Sequence, residues 1–307
     1  MDNKSVMNVT VVLSCYNQER YIQECLESIV TQQVDFDFKI LVADDCSTDS
    51  TLEIIKSYKV RYEDQIEIID RRENLGAAKN YLDAHQRASG DIIFHIDGDD
   101  MMLPGKMQKQ YNLFRENGAI NLVFHRAQYF SDDGSYQADT GYPLGVSEGV
   151  FYFNADDLAR WGSITVHSAY AYRKSSRQFL RGDMPFMEWF FAMDSLLPEG
   201  QGAYIDEVLV KYRCNLTGNA YLATKKGRKR SYKIYFNDLS YYFLKYPSLR
   251  KNLYSNALVT LGGMLQNRCF IGSISLFFMK NIRYFNLARF KNALQMRHAV
   301  APAKKIR

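Results

Sequence analysis

The chain has 307 residues, of which 47% are hydrophobic and 24% charged, a composition that excludes a disordered protein and allows one large domain or one domain with an appendage. Its net charge of +5 is unevenly distributed: residues 1–215 hold 21 basic against 33 acidic side chains, and residues 216–307 hold 18 basic side chains against one acidic. The five cysteines show no C-x-x-C spacing, which excludes a disulfide framework and a zinc knuckle and favours a reducing cytosol.

The first 125 residues alternate short apolar segments with helical patterns. The apolar segments are continuous and rich in Val and Ile, as strands buried on both faces are. They lie at residues 9–16, 38–45, 66–70, 91–97 and 121–125. Helices are predicted over residues 21–30, from a capping box at residues 50–53, and over residues 77–88 and 105–117. This alternation predicts an α/β fold with right-handed βαβ units and a mostly parallel sheet.

Polar side chains follow four of these predicted strands. They occupy residues 14–19, 44–49, 74–76 and 97–100. Because ligands of parallel sheets bind at the carboxyl ends of the strands, we expect these side chains to converge on one edge.

The fourth group contains a cluster of acids, Asp97-Gly98-Asp99-Asp100. Asp97 and Asp99 lie two residues apart just past a buried strand, and Mg²⁺ or Mn²⁺ favours such oxygen donors together with substrate phosphates. The alternative is an acidic turn that caps the helix starting near Pro104. The sequence has neither a GxxxxGK[ST] loop nor a GxGxxG fingerprint. A nucleotide bound at this edge would therefore need a metal for its phosphates.

The Asp44-Asp45 pair also has two interpretations. Both residues could cap the next helix, since helix starts prefer Asp, Ser and Thr. Alternatively Ser47, Thr48 or Ser50 caps that helix, which leaves an aspartate free to accept a hydrogen bond from a base or ribose. Tyr16, at the end of the first strand, could stack on a base or pack against the protein.

The pattern becomes irregular beyond residue 125, with a stretch bearing Gly and Asp at residues 131–149. Strands are predicted over residues 164–173 and 203–213, and a helix over residues 184–197. A Lys/Arg loop followed by amphipathic helices is predicted from residue 216 onward.

Four segments, taken together, resemble the N-terminal half of the inverting family 2 glycosyltransferases of the bacterial surface-polysaccharide type, which have the GT-A fold. They are VVLSCYNQERYIQECLESIVTQQ, ILVADDCSTDST, RRENLGAAKN and ASGDIIFHIDGDDMMLP. Their order and spacing agree over residues 9–117, with weaker agreement to about residue 215. The resemblance implies a nucleotide-sugar donor, usually a UDP-sugar, and Mn²⁺ or Mg²⁺ at the D-x-D sequence. The acceptor it implies is a hydroxyl of a glycan or a lipid-linked oligosaccharide.

The resemblance also implies a division of the chain. Residues 1–215 would form the GT-A catalytic domain, with a nucleotide-sugar half at about 8–125 and an acceptor half at about 126–215. Residues 216–307 would form a basic helical C-terminal region.

Site residues follow from the resemblance by position. The nucleoside pocket would be lined by Ser14, Tyr16 and Glu19, with Tyr16 near the base. Asp45, with Asp44 as a second candidate, would read the uracil edge, and Asn74, Asn80 and Lys79 would lie near the ribose. Asp99 would be the principal metal ligand, with Asp97 assisting it or contacting the ribose and Asp100 shaping the site.

An inverting transfer requires a general base on the acceptor side. The resemblance implies an acid upstream of a strand reading Y-x-D-E-x-x-x-x-Y-R, which here spans residues 204–213. The matching acid is Glu188, in a Glu-Trp pair where relatives often have Asp-Trp. Asp183 is the alternative and Asp194 a further competitor, and each of the three could instead be a solvated acid on a helix.

A second departure from the family pattern follows Arg213. Many relatives read Y-R-x-H, whereas this chain has Cys214-Asn215. A metal-binding histidine is therefore not supported here, and Arg213 is expected near the phosphates. His167 is expected to be a strand residue near the acceptor side, and His95 a buried structural residue.

The segment 216–307 combines its charge of +17 with 15 aromatic residues. Such a composition could serve single-stranded nucleic acid. The aromatics fall mostly in helical stretches with an apolar face, which favours an anionic membrane surface, so no nucleic acid is expected. The remaining alternative is a helical subdomain with a solvated basic face. With neither a signal peptide nor a spanning helix predicted, we expect a cytoplasmic protein, peripheral on the inner face of the cytoplasmic membrane.

Two other functions stay open at this point. One is a catalytically silent GT-A module that binds glycan or nucleotide. The other is a nucleotidyltransferase, although its usual Gly-rich basic loop near the first strand is absent. Released nucleoside diphosphate, rather than pyrophosphate, would distinguish the two enzymes.

Overall fold

A computed structural model describes residues 7–142, 149–179, 184–214, 224–269 and 272–302. Ten strands in these ranges form one sheet: β1 (Val9–Cys15), β2 (Phe38–Asp44), β3 (Ile66–Ile68), β4 (Ile92–Asp97), β5 (Met101–Met102), β6 (Ile120–Phe130), β7 (Gln137–Asp139), β8 (Val150–Phe153), β9 (Ala171–Arg173) and β10 (Gln201–Arg213). The helices are α1 (Ile22–Val30), α2 (Thr51–Arg61), α3 (Ala77–Arg87), α4 (Lys106–Glu116), α5 (Ala155–Trp161), α6 (Glu188–Leu196), α7 (Lys225–Lys245), α8 (Arg250–Gln266), α9 (Gly272–Asn281) and α10 (Leu287–Ala299).

The main path of the sheet has the strand order β3-β2-β1-β4-β9-β6-β10-β5. The pairs β1–β2, β2–β3, β1–β4 and β6–β10 are parallel, whereas β9 is antiparallel to both β4 and β6. Strands β1 to β4, β6 and β10 therefore all run in one direction. This confirms the predicted α/β fold with a mostly parallel sheet.

Helices cover both faces of the sheet, because successive side chains of a strand point to opposite sides. Val11 and Leu13 of β1 belong to an apolar cluster with residues of α1, α2 and α4. Val12 belongs to a second cluster with residues of α3, α5 and α6. Burial on both faces explains why the strand sequences are continuously apolar rather than alternating.

The C-terminal helices share the second cluster. Tyr242 of α7 and Leu253 of α8 are buried in it, and the Tyr242 hydroxyl donates to the Phe190 carbonyl at 2.7 Å. Asp238 of α7 is fully buried and accepts from the Met187 N–H at 2.7 Å, just before α6. The boundary at residue 215 stays a prediction, but apolar packing is continuous across it. Among the described helices, none combines the length and the hydropathy needed to cross a bilayer.

Several local predictions are wrong. The strand predicted over residues 164–173 is a 3-10 turn at His167–Ala169 followed by the short β9. Thr165 and Ser168 use their hydroxyls in contacts with other elements, His125 O and Asp100 Oδ2, so this polar segment leaves the ladder before β9. The predicted Lys/Arg loop is helical over residues 225–230, which open α7, and the Thr224 hydroxyl caps that helix.

The capping box predicted at residues 50–53 does not form. Ser50 makes no side-chain cap, and the Asp49 carboxylate instead accepts from the Thr51 N–H at 3.0 Å. A capping box does occur at Asn154 and Asp157, where it opens α5, a helix that the sequence pattern did not predict. In both cases several neighbouring residues satisfy the same capping rule, so tertiary geometry decides which of them caps the helix.

We expect Asp238→Ala to lower the free energy of unfolding by about 1–3 kcal/mol, because it leaves the partly buried Met187 N–H without this acceptor. Asp37→Ala, at an exposed position, serves as the matched control and should change little. Urea unfolding of the three proteins measures the difference. Equal losses in both variants would mean that the contact between α7 and the start of α6 has no structural weight.

Candidate active site

The carboxyl ends of β1, β2 and β4 lie side by side. Their register pairs Cys15 with Asp44 and Ser14 with Asp97. Hydrogen bonds join the loops that follow: the Thr48 N–H donates to Asn17 Oδ1 at 2.8 Å. The structure thus brings together the polar groups after strands one, two and four, at the edge where parallel sheets bind ligands.

Ser14, Tyr16 and Glu19 differ in how far the protein already engages them. The Tyr16 side chain is 38% exposed. The Ser14 hydroxyl is buried without a hydrogen-bond partner in the described part of the chain. Glu19 accepts from the Ser50 N–H at 3.0 Å and so helps to hold the second loop. Tyr16 is therefore the one of the three whose exposed ring is left for a ligand, and Ser14 keeps an unused hydrogen-bonding group below the surface.

Asp44 and Asp45 are both buried and bonded to backbone. Asp44 accepts from the Ser47 N–H at 3.0 Å. Asp45 accepts from the N–H groups of Leu75 and Gly76, each at 2.8 Å. Burial raises the pKa of Asp45, while these two N–H donors oppose that rise. In this geometry Asp45 fixes the loop that leads from β3 into α3.

Of the remaining residues predicted near the ribose, one is buried and bonded to other protein groups, and two are exposed. Asn80 is buried; its amide donates to the Ala43 carbonyl at 2.7 Å and its oxygen accepts from Arg71 at 3.0 Å. Asn74 is exposed and donates to the Asp45 carbonyl at 2.9 Å. Lys79 is exposed in the first turn of α3. Asn80 therefore supports the edge from below, and Asn74 and Lys79 lie at its surface.

The acid cluster is graded in exposure. The Asp97 side chain is 37% exposed, Asp99 is half-buried, and Asp100 is fully buried. Asp100 accepts from the Ser168 hydroxyl at 2.5 Å and from the Arg213 N–H at 2.9 Å. Asp100 is thus committed to the protein, whereas Asp97 and Asp99 face the edge of the sheet.

Burial, followed by the negative charge of Asp97, raises the pKa of Asp99 to about 6. Two carboxylates whose charges repel in a partly buried site are stabilised by a cation between them. Gly98 lets them adopt this arrangement, since an added Cβ would lie 2.8 Å from the Cβ of Cys15. The donor set of Asp97 and Asp99 therefore fits a divalent metal ion that prefers oxygen ligands.

A buried lysine lies behind the cluster, and the sequence pattern gave no signal for it. Lys106, the first residue of α4, is fully buried and its Nζ has no hydrogen-bond partner in the described structure. Its nearest aromatic ring is Phe94, 5.3 Å from Nζ to the centroid. Burial lowers the pKa of Lys106 to about 7, and the charge of Asp100 opposes that change. Lys106 is thus a buried amine near Asp100 whose charged form burial disfavours.

A chain of hydrogen bonds ends on Asp97. The hydroxyl of Tyr172 lies 2.7 Å from His85 Nδ1, His85 Nε2 lies 3.0 Å from His95 Nδ1, and His95 Nε2 lies 3.2 Å from Asp97 Oδ1. All three bonds form when each imidazole is neutral and carries its proton on Nε2. Burial lowers the pKa of His85 well below its usual value, which favours that neutral form. His95, expected to be structural, therefore holds the carboxylate of Asp97.

His167 stacks on His95, with ring centroids 3.9 Å apart, and its Nε2 is buried without a partner in the described structure. His95, Asp97 and His167 each offer an atom within 4.8 Å of the others. His167 thus borders the acid cluster. Burial raises the pKa of the nearby Cys214 thiol to about 12.

The Arg213 side chain forms ion pairs and hydrogen bonds with several protein groups. Its guanidinium pairs with Glu24 at 2.8 Å and also with Asp132, and its Nε donates to the Asp99 carbonyl at 2.8 Å. The same guanidinium lies 4.3 Å from the Tyr21 ring centroid. In this arrangement Arg213 fixes the backbone of the acid cluster rather than presenting a free cation to a phosphate.

Glu188 is the first residue of α6 and is half-buried. Burial raises the pKa of Glu188 to about 7, and the charge of Asp97 adds to that rise, so the two carboxylates face a common region. Asp194 is a structural acid: it is buried and accepts from the Gln178 N–H at 2.9 Å. The alternative base, Asp183, lies outside the described residues.

We expect Lys106→Met to raise the free energy of unfolding by about 1–3 kcal/mol at pH 7, because it removes a buried ammonium without a partner. The folded-state pKa of Lys106 is lowered from 10.5 to about 7, so its cost is fully present below pH 7 and falls as the pH rises toward 10.5. The advantage of the variant should therefore shrink between pH 7 and about 10.

Urea unfolding at both pH values tests this prediction, with Lys109→Met as the control. Lys109 lies on the same helix but is partly exposed and paired with Glu207. A variant that is less stable than the parent at pH 7, or a pH dependence shared with the control, would contradict the assigned cost.

Comparison with known sequences gives the family. A model of glycosyl transferase family 2 matches residues 10–180. A putative teichuronic acid biosynthesis glycosyltransferase of Bacillus subtilis, TuaG, is 28% identical over 244 residues, which cover 77% of this chain and 90% of the relative. An uncharacterized protein of Mycobacterium tuberculosis is 27% identical over 222 residues, 72% of this chain. The match covers only 63% of that mycobacterial relative.

Solved structures share the fold at low identity. S. aureus TarS 1–349, in complex with UDP-GlcNAc, superposes with a TM-score of 0.56 at 17% identity, covering 95% of this chain and 91% of TarS 1–349. The mannosyltransferase PcManGT of Pyrobaculum calidifontis, in complex with GDP-Man and Mn²⁺, has a TM-score of 0.56 at 16% identity, covering 96% and 86%. The fold is GT-A, and with more than half of its residues matched by the family model, this chain belongs to glycosyl transferase family 2.

Proposed function

We propose that the protein is an inverting, metal-dependent hexosyltransferase that moves a sugar from a UDP-sugar to a hydroxyl of a glycan or lipid-linked oligosaccharide. The observation that carries this proposal is that Glu188 lies in one region with Asp97: burial raises the pKa of Glu188 to about 7, and the charge of Asp97 adds to that rise. Asp99, the second carboxylate, follows Asp97 by two residues. One side of that region suits a base and the other suits a cation with a diphosphate.

The donor side would use the strand ends. Tyr16 offers an exposed ring for the base, and the unpartnered Ser14 hydroxyl offers a hydrogen bond beside it. The complexes of TarS with UDP-GlcNAc and of PcManGT with GDP-Man support a nucleotide-sugar in this position. Asp45 would act on the nucleoside mainly by holding the loop at residues 74–76 that carries Asn74.

Asp99, with Asp97, would hold Mn²⁺ or Mg²⁺. The bound ion would neutralise the charge of the leaving diphosphate. His95 orients the Asp97 carboxylate through its Nε2 contact, and Arg213 fixes the Asp99 carbonyl. The Mn²⁺ in the PcManGT complex supports a metal at such a site.

Glu188 would act as the general base. The acceptor oxygen attacks the anomeric carbon from the face opposite the diphosphate, a C–O bond forms, the bond to the diphosphate oxygen breaks, and the hydroxyl proton passes to Glu188. A pKa near 7 leaves about half of the Glu188 side chains ionised at neutral pH and makes the ionised form a stronger base than an ordinary carboxylate. The single in-line step inverts the anomeric configuration.

The relatives support a polysaccharide acceptor. TuaG is named for teichuronic acid biosynthesis, and this supports a role in polysaccharide assembly. A lipid-linked acceptor would place the enzyme at the inner face of the cytoplasmic membrane, where the basic segment 216–307 meets anionic lipid.

Glu188→Gln should lower the transfer rate by about 10²–10⁴-fold while donor binding persists, because only the proton acceptor is lost. In the parent, the rate should rise with pH through about 7, where Glu188 loses its proton, and the variant should lack this rise. Steady-state release of nucleoside diphosphate measures both.

Glu199→Gln is the matched control for that experiment. Glu199 is an exposed acid just past the other end of α6, and its variant should behave as the parent. Transfer by Glu188→Gln at the parental rate would exclude Glu188 as the base and favour the alternative, Asp183.

Asp99→Asn should raise the concentration of Mn²⁺ needed for half-maximal activity by at least the roughly 10- to 100-fold known for weakened metal sites. The substitution removes the ligand charge but keeps the shape of the side chain. Asp37→Asn, at an exposed position, provides the control. Full activity of Asp99→Asn at the parental Mn²⁺ concentration would refute its role as principal ligand.

A further inference from the structure

Large apolar side chains are concentrated on one exposed part of the C-terminal region. Seven of them lie within residues 265–294, with fractional exposures from 38% to 66%: Leu265, Leu276, Met279, Ile282, Phe285, Leu287 and Leu294. In all the other described ranges together there are five such side chains. Exposed apolar residues that are scattered singly need no explanation, whereas a concentration of this kind marks an interaction surface.

Helix α9 is apolar on two sides. Ile274 is buried, and Phe277 and Phe278 pack against the core. Leu276 and Met279, three residues apart on the same side of the helix, are 52% and 66% exposed. Packing of the helix onto the protein therefore accounts for the first side but not for the second.

The apolar exposure continues beyond α9. Ile282, 65% exposed, lies three residues after Met279 in the 3-10 turn Ile282–Tyr284, and Phe285 and Leu287 follow at the junction with α10. We call Leu276, Met279, Ile282, Phe285 and Leu287 the apolar tip.

Basic side chains accompany the apolar tip without acids. Lys280, Arg283, Arg289 and Lys291 lie along the same stretch, and residues 265–294 contain neither Asp nor Glu. The one acid of residues 216–307, Asp238, is fully buried against Met187 and contributes nothing to this surface. Along the chain, the residues of the apolar tip are therefore interspersed with cations and not with acids.

The aromatic residues that suggested a membrane surface in the sequence have another role. Tyr242 and Phe243 are 2% and 4% exposed, in the core shared with α6. The surface depends instead on aliphatic side chains and Phe285. Aliphatic side chains do not stack on bases, which argues against single-stranded nucleic acid. Apolar side chains flanked by Lys and Arg match the boundary between acyl chains and anionic headgroups.

We propose that the apolar tip inserts into the headgroup region of an anionic bilayer, with Lys280 and Arg283 contacting the lipid phosphates. This inference rests on the membrane location in the proposed function and not on the chemistry of sugar transfer. Insertion by a short tip, rather than adsorption of the whole basic segment, would anchor the protein at one place beside the catalytic core.

The test is co-sedimentation of the full chain with vesicles of phosphatidylcholine, alone or mixed with phosphatidylglycerol. The parent should bind the mixed vesicles and bind the neutral ones far less. The double variant Met279→Gln/Ile282→Gln should lose at least about tenfold in partitioning, because it removes two inserted apolar groups and no charge. Val60→Gln is the matched control, since Val60 is 81% exposed on α2 in the catalytic half, and it should bind as the parent does.

Equal binding by the double variant and the parent would overturn the insertion proposal. So would a parent that is a dimer by light scattering and a double variant that is a monomer with unchanged vesicle binding, since a second copy would then cover the tip. Turnover of a soluble acceptor is measured on the same proteins. Normal vesicle binding without turnover would contradict the proposed sugar transfer and support membrane insertion by the apolar tip. Normal turnover without vesicle binding would contradict membrane insertion and support the proposed sugar transfer.

Discussion

The burial of carboxylates at the end of β4 is the constraint that the surrounding structure satisfies. Asp100 is fully buried and is held by the Ser168 hydroxyl and by the Arg213 N–H. Asp97 Oδ1 lies 3.2 Å from His95 Nε2, the last contact in the series of hydrogen bonds that begins at Tyr172. The pKa of Asp99 is raised to about 6, because burial and the charge of Asp97 both disfavour its ionised form. The protein thus compensates the inner acid and leaves the outer two suited to a divalent cation.

The C-terminal region packs against the helix that carries Glu188, the proposed base. Glu188 opens α6, and the residue before it, Met187, donates its N–H to Asp238 of α7. Tyr242 of α7 donates to a carbonyl of α6 as well. The side of the region that faces the catalytic core therefore positions the proposed base, while its outer side carries the apolar tip and the cations. The C-terminal region would in this way connect the proposed active site to the membrane surface that holds a lipid-linked acceptor.

The sequence predicted the features that are encoded locally and missed those made by distant contacts. Strand and helix periodicity over residues 9–117 was sufficient for β1 to β4, because these buried strands are continuously apolar. The link from Tyr172 through His85 to Asp97 joins residues 75 or more positions apart at its ends, so no local pattern reveals it. Lys106 follows Pro104 and Gly105 at the start of a helix, a place where a lysine is expected to face solvent. Asp45 looked free for a ligand because its two N–H donors, at Leu75 and Gly76, come from another loop.

The central claim is that the strand ends bind a nucleotide-sugar with a metal and that the bond to the diphosphate is broken there. The most direct measurement is a screen of UDP-, GDP- and dTDP-sugars for product release, with Mn²⁺ or Mg²⁺ and with a chelator. The account predicts release of UDP from a UDP-sugar, dependent on the metal and abolished by the chelator. Release of pyrophosphate, or nucleotide binding without release of nucleoside diphosphate from any donor, would contradict it.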